Sequence, residues 1–69
     1  MPLTFAQKEQ WNTIKKIGGK EEIKHFLEGL GFVVGTMVSV VAEMNGNVIV
    51  NVKGSRIAIS KEMANKILV

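Results

Sequence analysis

Between Ile23 and Leu30 the apolar residues Ile23, Phe26, Leu27 and Leu30 recur at i, i+3, i+4 and i+7, and from Thr36 onward apolar and polar positions alternate with period two. The first spacing is one stripe of a helix and the second is a half-buried strand, so a helix over Lys20 to Leu30 hands over to a sheet. The change of period falls at Gly31, a residue free to take the left-handed conformation that closes a helix. Gly35 permits a second bend, which makes Phe32-Val33-Val34 a short apolar connector. Glu21 and Glu22 sit in the first helical turn, where exposed amide groups favour negative charge.

Upstream, Thr4-Phe5-Ala6-Gln7 fits a capping box and predicts a short helical turn. Asn12 to Ile17, bounded by Gly18-Gly19, reads as a first strand. Downstream, the hairpin around Asn45-Gly46 can be tested by pairing. A two-residue loop would set Val40 opposite Asn51 and Val38 opposite Lys53, mixing apolar and polar residues. A three-residue loop, Asn45-Gly46-Asn47, sets Met44 against Val48, Ala42 against Val50 and Val40 against Val52, and is the register the pattern predicts. A turn at Gly54-Ser55 then brings Val52 opposite Ile57 and Val50 opposite Ile59. Ser60 caps a single turn through Ala64, and Ile67-Leu68-Val69 is a final short strand.

Three meandering strands, one before and one after, with one inserted helix, predict a mainly β fold: a small, partly open barrel with the helix over one end. Each helix residue of the stripe buried against the Val and Ile face stabilises by about 1.5–3 kcal/mol before entropy, so Phe26→Ala is expected to be severely destabilising.

Composition narrows the function classes. A chain of 69 residues with 46% hydrophobic content predicts one domain over residues 1–69. It has no cysteine, hence no disulfide framework or thiolate metal site, which fits a reducing compartment. No leader or bilayer-length apolar run is present, and the expected location is the cytoplasm. The formal charge of +3 is spread over nine Lys and Arg residues without a row of aromatic platforms, so nucleic acid is not an expected partner. Without Cys, Asp or Tyr, and with Gly18-Gly19-Lys20 lacking the spacing of a phosphate loop, catalysis is not expected and no cofactor is implied.

The order of Gly18-Gly19, Phe26-Leu27-Glu28-Gly29-Leu30-Gly31-Phe32, Val34-Gly35-Thr36-Met37-Val38-Ser39-Val40-Val41 and Ile57 to Ile67 resembles the FeoA family, small SH3-like barrels that accompany the FeoB ferrous iron transporter. The resemblance runs from Ile14 to Val69. Val34 stands where the family usually has proline. It implies an SH3-like barrel and an accessory role in ferrous iron uptake. The implied partner is a FeoB-type transporter or its cytoplasmic GTPase domain, which would recruit the protein to the inner face of the membrane. It supplies no catalytic residues.

Two constellations are candidate sites. His25, the only histidine, lies one helical turn from Glu21 and Glu22, a ligand pairing acceptable to a divalent metal, although such faces are ordinarily solvated charge. The second is apolar: Trp11, Phe32, Val34, Val41 and Ile49 fall in the connector, at the end of the first strand or on the outer sheet face, and form a candidate docking surface. The rival readings are an SH3-like module of a DtxR-type metal-dependent regulator, which requires an attached DNA reader, and a small basic nucleic-acid-binding barrel, which steep salt dependence would mark. Monomer or weak dimer is expected, pairing through an unpaired edge such as Ile67-Leu68-Val69 or the first strand.

Overall fold

The computed structural model describes residues 1–69. A 3₁₀ turn at Leu3–Phe5 precedes β1 (Trp11–Thr13), β2 (Lys16–Ile17), α1 (Glu21–Gly29), β3 (Met37–Met44), β4 (Asn47–Val52), β5 (Ser55–Ser60), α2 (Lys61–Ala64) and β6 (Ile67–Leu68). One antiparallel sheet has the order β1-β3-β4-β5 and a second pairs β2 with β6. The expected mainly β, partly open architecture is present. Its core is Val38, Val40, Val48, Val50, Val52 and Ile59 from the large sheet, closed by Leu3, Ile14, Ile17, Leu27, Phe32, Ala64, Ile67 and Val69. No helix is long and apolar enough to cross a membrane.

The end of α1 follows from its glycine. Gly31 takes φ of 105°, its N–H donates to the Glu28 carbonyl at 2.9 Å, and the Phe32 N–H donates to the Leu27 carbonyl at 2.9 Å. This pair of bonds satisfies carbonyls the helix leaves open and folds the chain back onto its last turn, bringing together two apolar residues, Leu27 and Phe32. Both are fully buried. Phe32 is therefore a core residue at 0% exposure, which removes it from the docking surface expected of it.

Phe26 departs from expectation in the opposite sense, with 52% of its surface exposed. Successive helical residues are rotated by about 100°. Leu27 points straight into the core, so Phe26 sits on the flank, while Ile23 and Leu30 are half-buried between the two. A short helix lying against a small barrel buries a narrower stripe than four apolar residues describe. Phe26→Ala is accordingly expected to cost less than about 1 kcal/mol, or less than roughly 4–8 °C in Tm, where full burial of Phe would cost ~3–5 kcal/mol. Thermal unfolding followed by circular dichroism measures the difference.

The expected first strand is two strands in different sheets. At Ile14 the N–H donates to the Thr36 carbonyl at 2.9 Å and the carbonyl accepts from Gly35 at 2.8 Å, whereas the next N–H, on Lys15, donates to the Leu68 carbonyl at 2.7 Å. The chain changes sheets there, with Ile14 driven into the core as the corner.

The β3–β4 hairpin has the two-residue loop that strict alternation disfavours. Asn45 and Gly46 both have positive φ, 51° and 81°, and Met44 pairs with Asn47. This is the turn whose twist matches the strands it joins. The register slip is absorbed by a bulge between Val40 and Ala42, where Val41 is the extra residue, so that Val40 faces Val50 and Val38 faces Val52. The second hairpin turns at Lys53-Gly54, φ 48° and 78°, instead of Gly54-Ser55. Val50 therefore pairs with Ile57 and Val48 with Ile59, two residues from the expected register and on the same face.

The expected capping box at Thr4–Gln7 does not form. Pro2 occupies the cap position of a turn only three residues long, and the Thr4 hydroxyl donates instead to Asn65 Oδ1 at 2.6 Å. Ser60 does cap α2, accepting from the Met63 N–H at 3.2 Å. The strand β6 is not a free edge: β2 flanks it on one side, and on the other Pro2 bridges Leu68 while Met1 and Val69 exchange backbone bonds at 2.8 and 2.9 Å.

Candidate docking surface

The inward valines of β3 and β4 alternate with residues that face away from the core, and the register aligns four of these across the whole sheet. Trp11 on β1 pairs with Ser39 on β3, Ser39 with Asn51 on β4, and Asn51 with Arg56 on β5. With Glu9 and Val41 these residues line a shallow cleft of about 260 Å³. Trp11 is 56% exposed at one end and Arg56 is exposed at the other; Ser39, between them, is only 3% exposed and forms the floor. Glu9, at the rim, has φ of 64° and is held by its N–H donating to the Val40 carbonyl at 2.7 Å.

Neither the Ser39 hydroxyl nor the Asn51 carboxamide makes a hydrogen bond within the chain. The cleft thus offers an aromatic wall, a guanidinium and two polar groups without a partner in the chain in one line, the combination of apolar anchor and oriented polar contacts that binding sites use. Ile49 extends the same face, half-buried between Ala42 and Ala58 in the adjoining row. The bulge keeps Val41 beside the cleft as a half-buried residue.

Three of the five expected docking residues, Trp11, Val41 and Ile49, therefore share one face. Phe32 is in the core. Val34 is 60% exposed but lies elsewhere, with Lys15, Lys16, Ile17, Lys24 and Glu28 around a separate cleft of about 280 Å³. Ser39, Asn51, Arg56 and Glu9 were missed by reasoning from hydrophobic pattern. The signal for Arg56 was its outward parity on β5, and for Ser39 and Asn51 their position opposite one another.

The His25 cluster is a set of surface contacts on one helix face. His25 Nε2 lies 3.6 Å from Glu21 Oε2, and the other oxygen of Glu21 is 3.8 Å from Lys24 Nζ; His25 and Glu21 are well exposed and Lys24 is half-buried. Glu22 does not join them, and nowhere do three metal-capable side chains converge. Such pairs contribute little in water. The shortest ion pair, Lys61 Nζ to Glu43 Oε1 at 2.7 Å, ties α2 to the end of β3. Hydrogen bonding from the Lys61 ammonium, then its charge, holds the Glu43 carboxyl below its usual range, so this tie is complete above the ordinary carboxylate pKa and is lost as pH falls through the lowered value.

The FeoA domain family model matches residues 1–69. A protein of Methanocaldococcus jannaschii named Fe(2+) transport protein A is 37% identical over 68 residues, covering 99% of this chain and 83% of its own. Among solved structures, the zinc complex of Stenotrophomonas maltophilia FeoA, described as a procaryotic SH3-domain protein, aligns with a TM-score of 0.83 at 23% identity, over 99% of this chain and 87% of that one. A manganese-dependent transcriptional repressor aligns with a TM-score of 0.86 at 16% identity, over 97% of this chain and 39% of its own. At those identities the two structures share the SH3-like fold with this chain.

Proposed function

The chain belongs to the FeoA domain family, and from that premise we propose that it is a non-catalytic accessory protein of ferrous iron uptake that docks, through the outer face of its four-stranded sheet, on the cytoplasmic machinery of a FeoB-type transporter or its GTPase domain. The protein works on the cytoplasmic side and reaches the membrane through that contact. The observation that carries this reading is the row Trp11–Ser39–Asn51–Arg56, where an exposed aromatic and an arginine bracket polar groups with no partner in the chain. Trp and Arg dominate interface energetics when water is excluded around them, and an open antiparallel face is where a mainly β domain can present them without disturbing its core. The likeness to the manganese-dependent repressor is one of fold and adds no second function.

Purified protein should retain the cytoplasmic GTPase region, or the full-length transporter, from the same source in a pull-down under reducing conditions, with iron and nucleotide each tested. Trp11→Ala, Val41→Glu and Ile49→Glu, each checked for folding by circular dichroism, are expected to weaken capture by roughly tenfold or more. Wild-type protein that captures neither form, or folded variants that bind as wild type does, would remove the docking face.

A further inference from the structure

β5 closes one edge of the four-stranded sheet, pairing with β4 and with no other strand. The Lys53-Gly54 turn makes Val52 and Ser55 the closing hydrogen-bonded pair. The ladder therefore uses the backbone groups of Ser55, Ile57 and Ile59, and antiparallel alternation turns the N–H and C=O of Arg56 and Ala58 away from β4. No turn, loop or cap elsewhere in the chain bonds to them, and both residues are exposed. The strand Ser-Arg-Ile-Ala-Ile-Ser carries a single charge, Arg56, and none of the other usual edge protections: it has no proline, no lysine and no bulge. The expected edges are less suitable, because β6 is flanked on both sides and β1 has three residues.

We propose that β5 is a self-pairing edge, on which β5 of a second copy of this chain adds antiparallel about a two-fold axis at Ala58. Two conditions select the register. Residues opposite one another must face the same side of the sheet, and those with outward backbone groups must meet. Two-fold pairings centred on Arg56, Ala58 or Ser60 satisfy both. Centring on Arg56 sets guanidinium against guanidinium, and centring on Ser60 runs the strand into α2, which starts at Lys61. Centring on Ala58 pairs the five residues Arg56 to Ser60: Ala58 meets Ala58 of the second copy, Arg56 meets Ser60, and on the core side Ile57 meets Ile59, a favourable cross-strand match of β-branched residues. The interface is isologous, so the same strand supplies both halves, and the two sheets become one of eight strands.

Sedimentation equilibrium on the wild-type chain should show a reversible monomer–dimer equilibrium. Ala58→Lys, which sets two ammonium groups opposite each other at the axis, should raise the dissociation constant roughly tenfold or more, and so should Ala58→Pro, which removes only an N–H that β4 does not use. The axial register is read separately in this cysteine-free chain. Across a hydrogen-bonded antiparallel pair Cα atoms lie about 5.5 Å apart, within disulfide reach, so Ala58→Cys should oxidise to a covalent dimer while Thr13→Cys, on the opposite edge, should not. A wild-type chain that stays monomeric at millimolar concentration, a dimer indifferent to both Ala58 substitutions in folded protein, or equal cross-linking at the two edges would each overturn the proposal. A monomeric chain that instead captures an extended peptide on β5 would assign the edge to a different occupant and overturn self-pairing.

Discussion

Phe32→Ala is expected to abolish stable folding or lower Tm by roughly 12 °C or more. Phe32 is the largest fully buried side chain and stands where the chain leaves α1. Its removal from a core costs ~3–5 kcal/mol, while a chain of this length has in total about 0.05–0.15 kcal/mol per residue to lose. The loss is not confined to a cavity. Phe32 and Leu27 are the apolar pair that accompanies the closing turn at Gly31, so truncating one removes the contact that fixes where the helix ends. Denaturation by urea, monitored at 222 nm, measures this directly. A cooperative transition with a midpoint close to wild type would place Phe32 outside the core.

Leu3→Ala should be nearly as damaging, at ~2–5 kcal/mol, although Leu3 belongs to a 3₁₀ turn of three residues. Leu3 is fully buried, and its turn packs against α2. The same segment bridges Leu68 and Val69, so loosening it uncovers one side of β6. Thr4→Ala is the matched control. It removes an exposed hydroxyl bond to Asn65, worth about 0.5–1.5 kcal/mol at most, and leaves Leu3 in place. Comparable unfolding midpoints for the two variants would show that the turn is held by its hydrogen bond and not by burial.

Leu3 also shows what hydrophobic periodicity cannot reveal. A single apolar residue in a turn has no period, and its burial depends on where the chain's two ends meet. The corner at Ile14 is invisible to periodicity, because alternation from Asn12 to Ile17 is the same whether a strand continues or changes sheets. Phe26 obeyed the helical period and still faces solvent, since the period states which residues share a side but not how wide a stripe the barrel covers. By contrast Gly31 and Ser60 were legible because their constraints are local: a left-handed residue and a side-chain cap act within a few residues of chain. The docking face was half legible for the same reason. Trp11, Val41 and Ile49 stood out as apolar residues without a core position, while Arg56 joined them only through a register set two hairpins away.

The bulge at Val41 makes the β3–β4 hairpin tolerant of a change in length at one place. On either side of Val41 the pairs Val40 with Val50 and Ala42 with Ile49 follow the order of an unbroken ladder. Losing one residue at the bulge would straighten the strand and leave the side chains beyond it on their present faces, whereas losing a residue from a regular strand such as β4 would turn the residues beyond it inside out. In evolutionary terms the position can absorb an indel without loss of the barrel. Because Val41 also borders the Trp11 cleft, gain or loss of this one residue offers a lineage a route to altering what the outer face binds while the barrel beneath it stays the same.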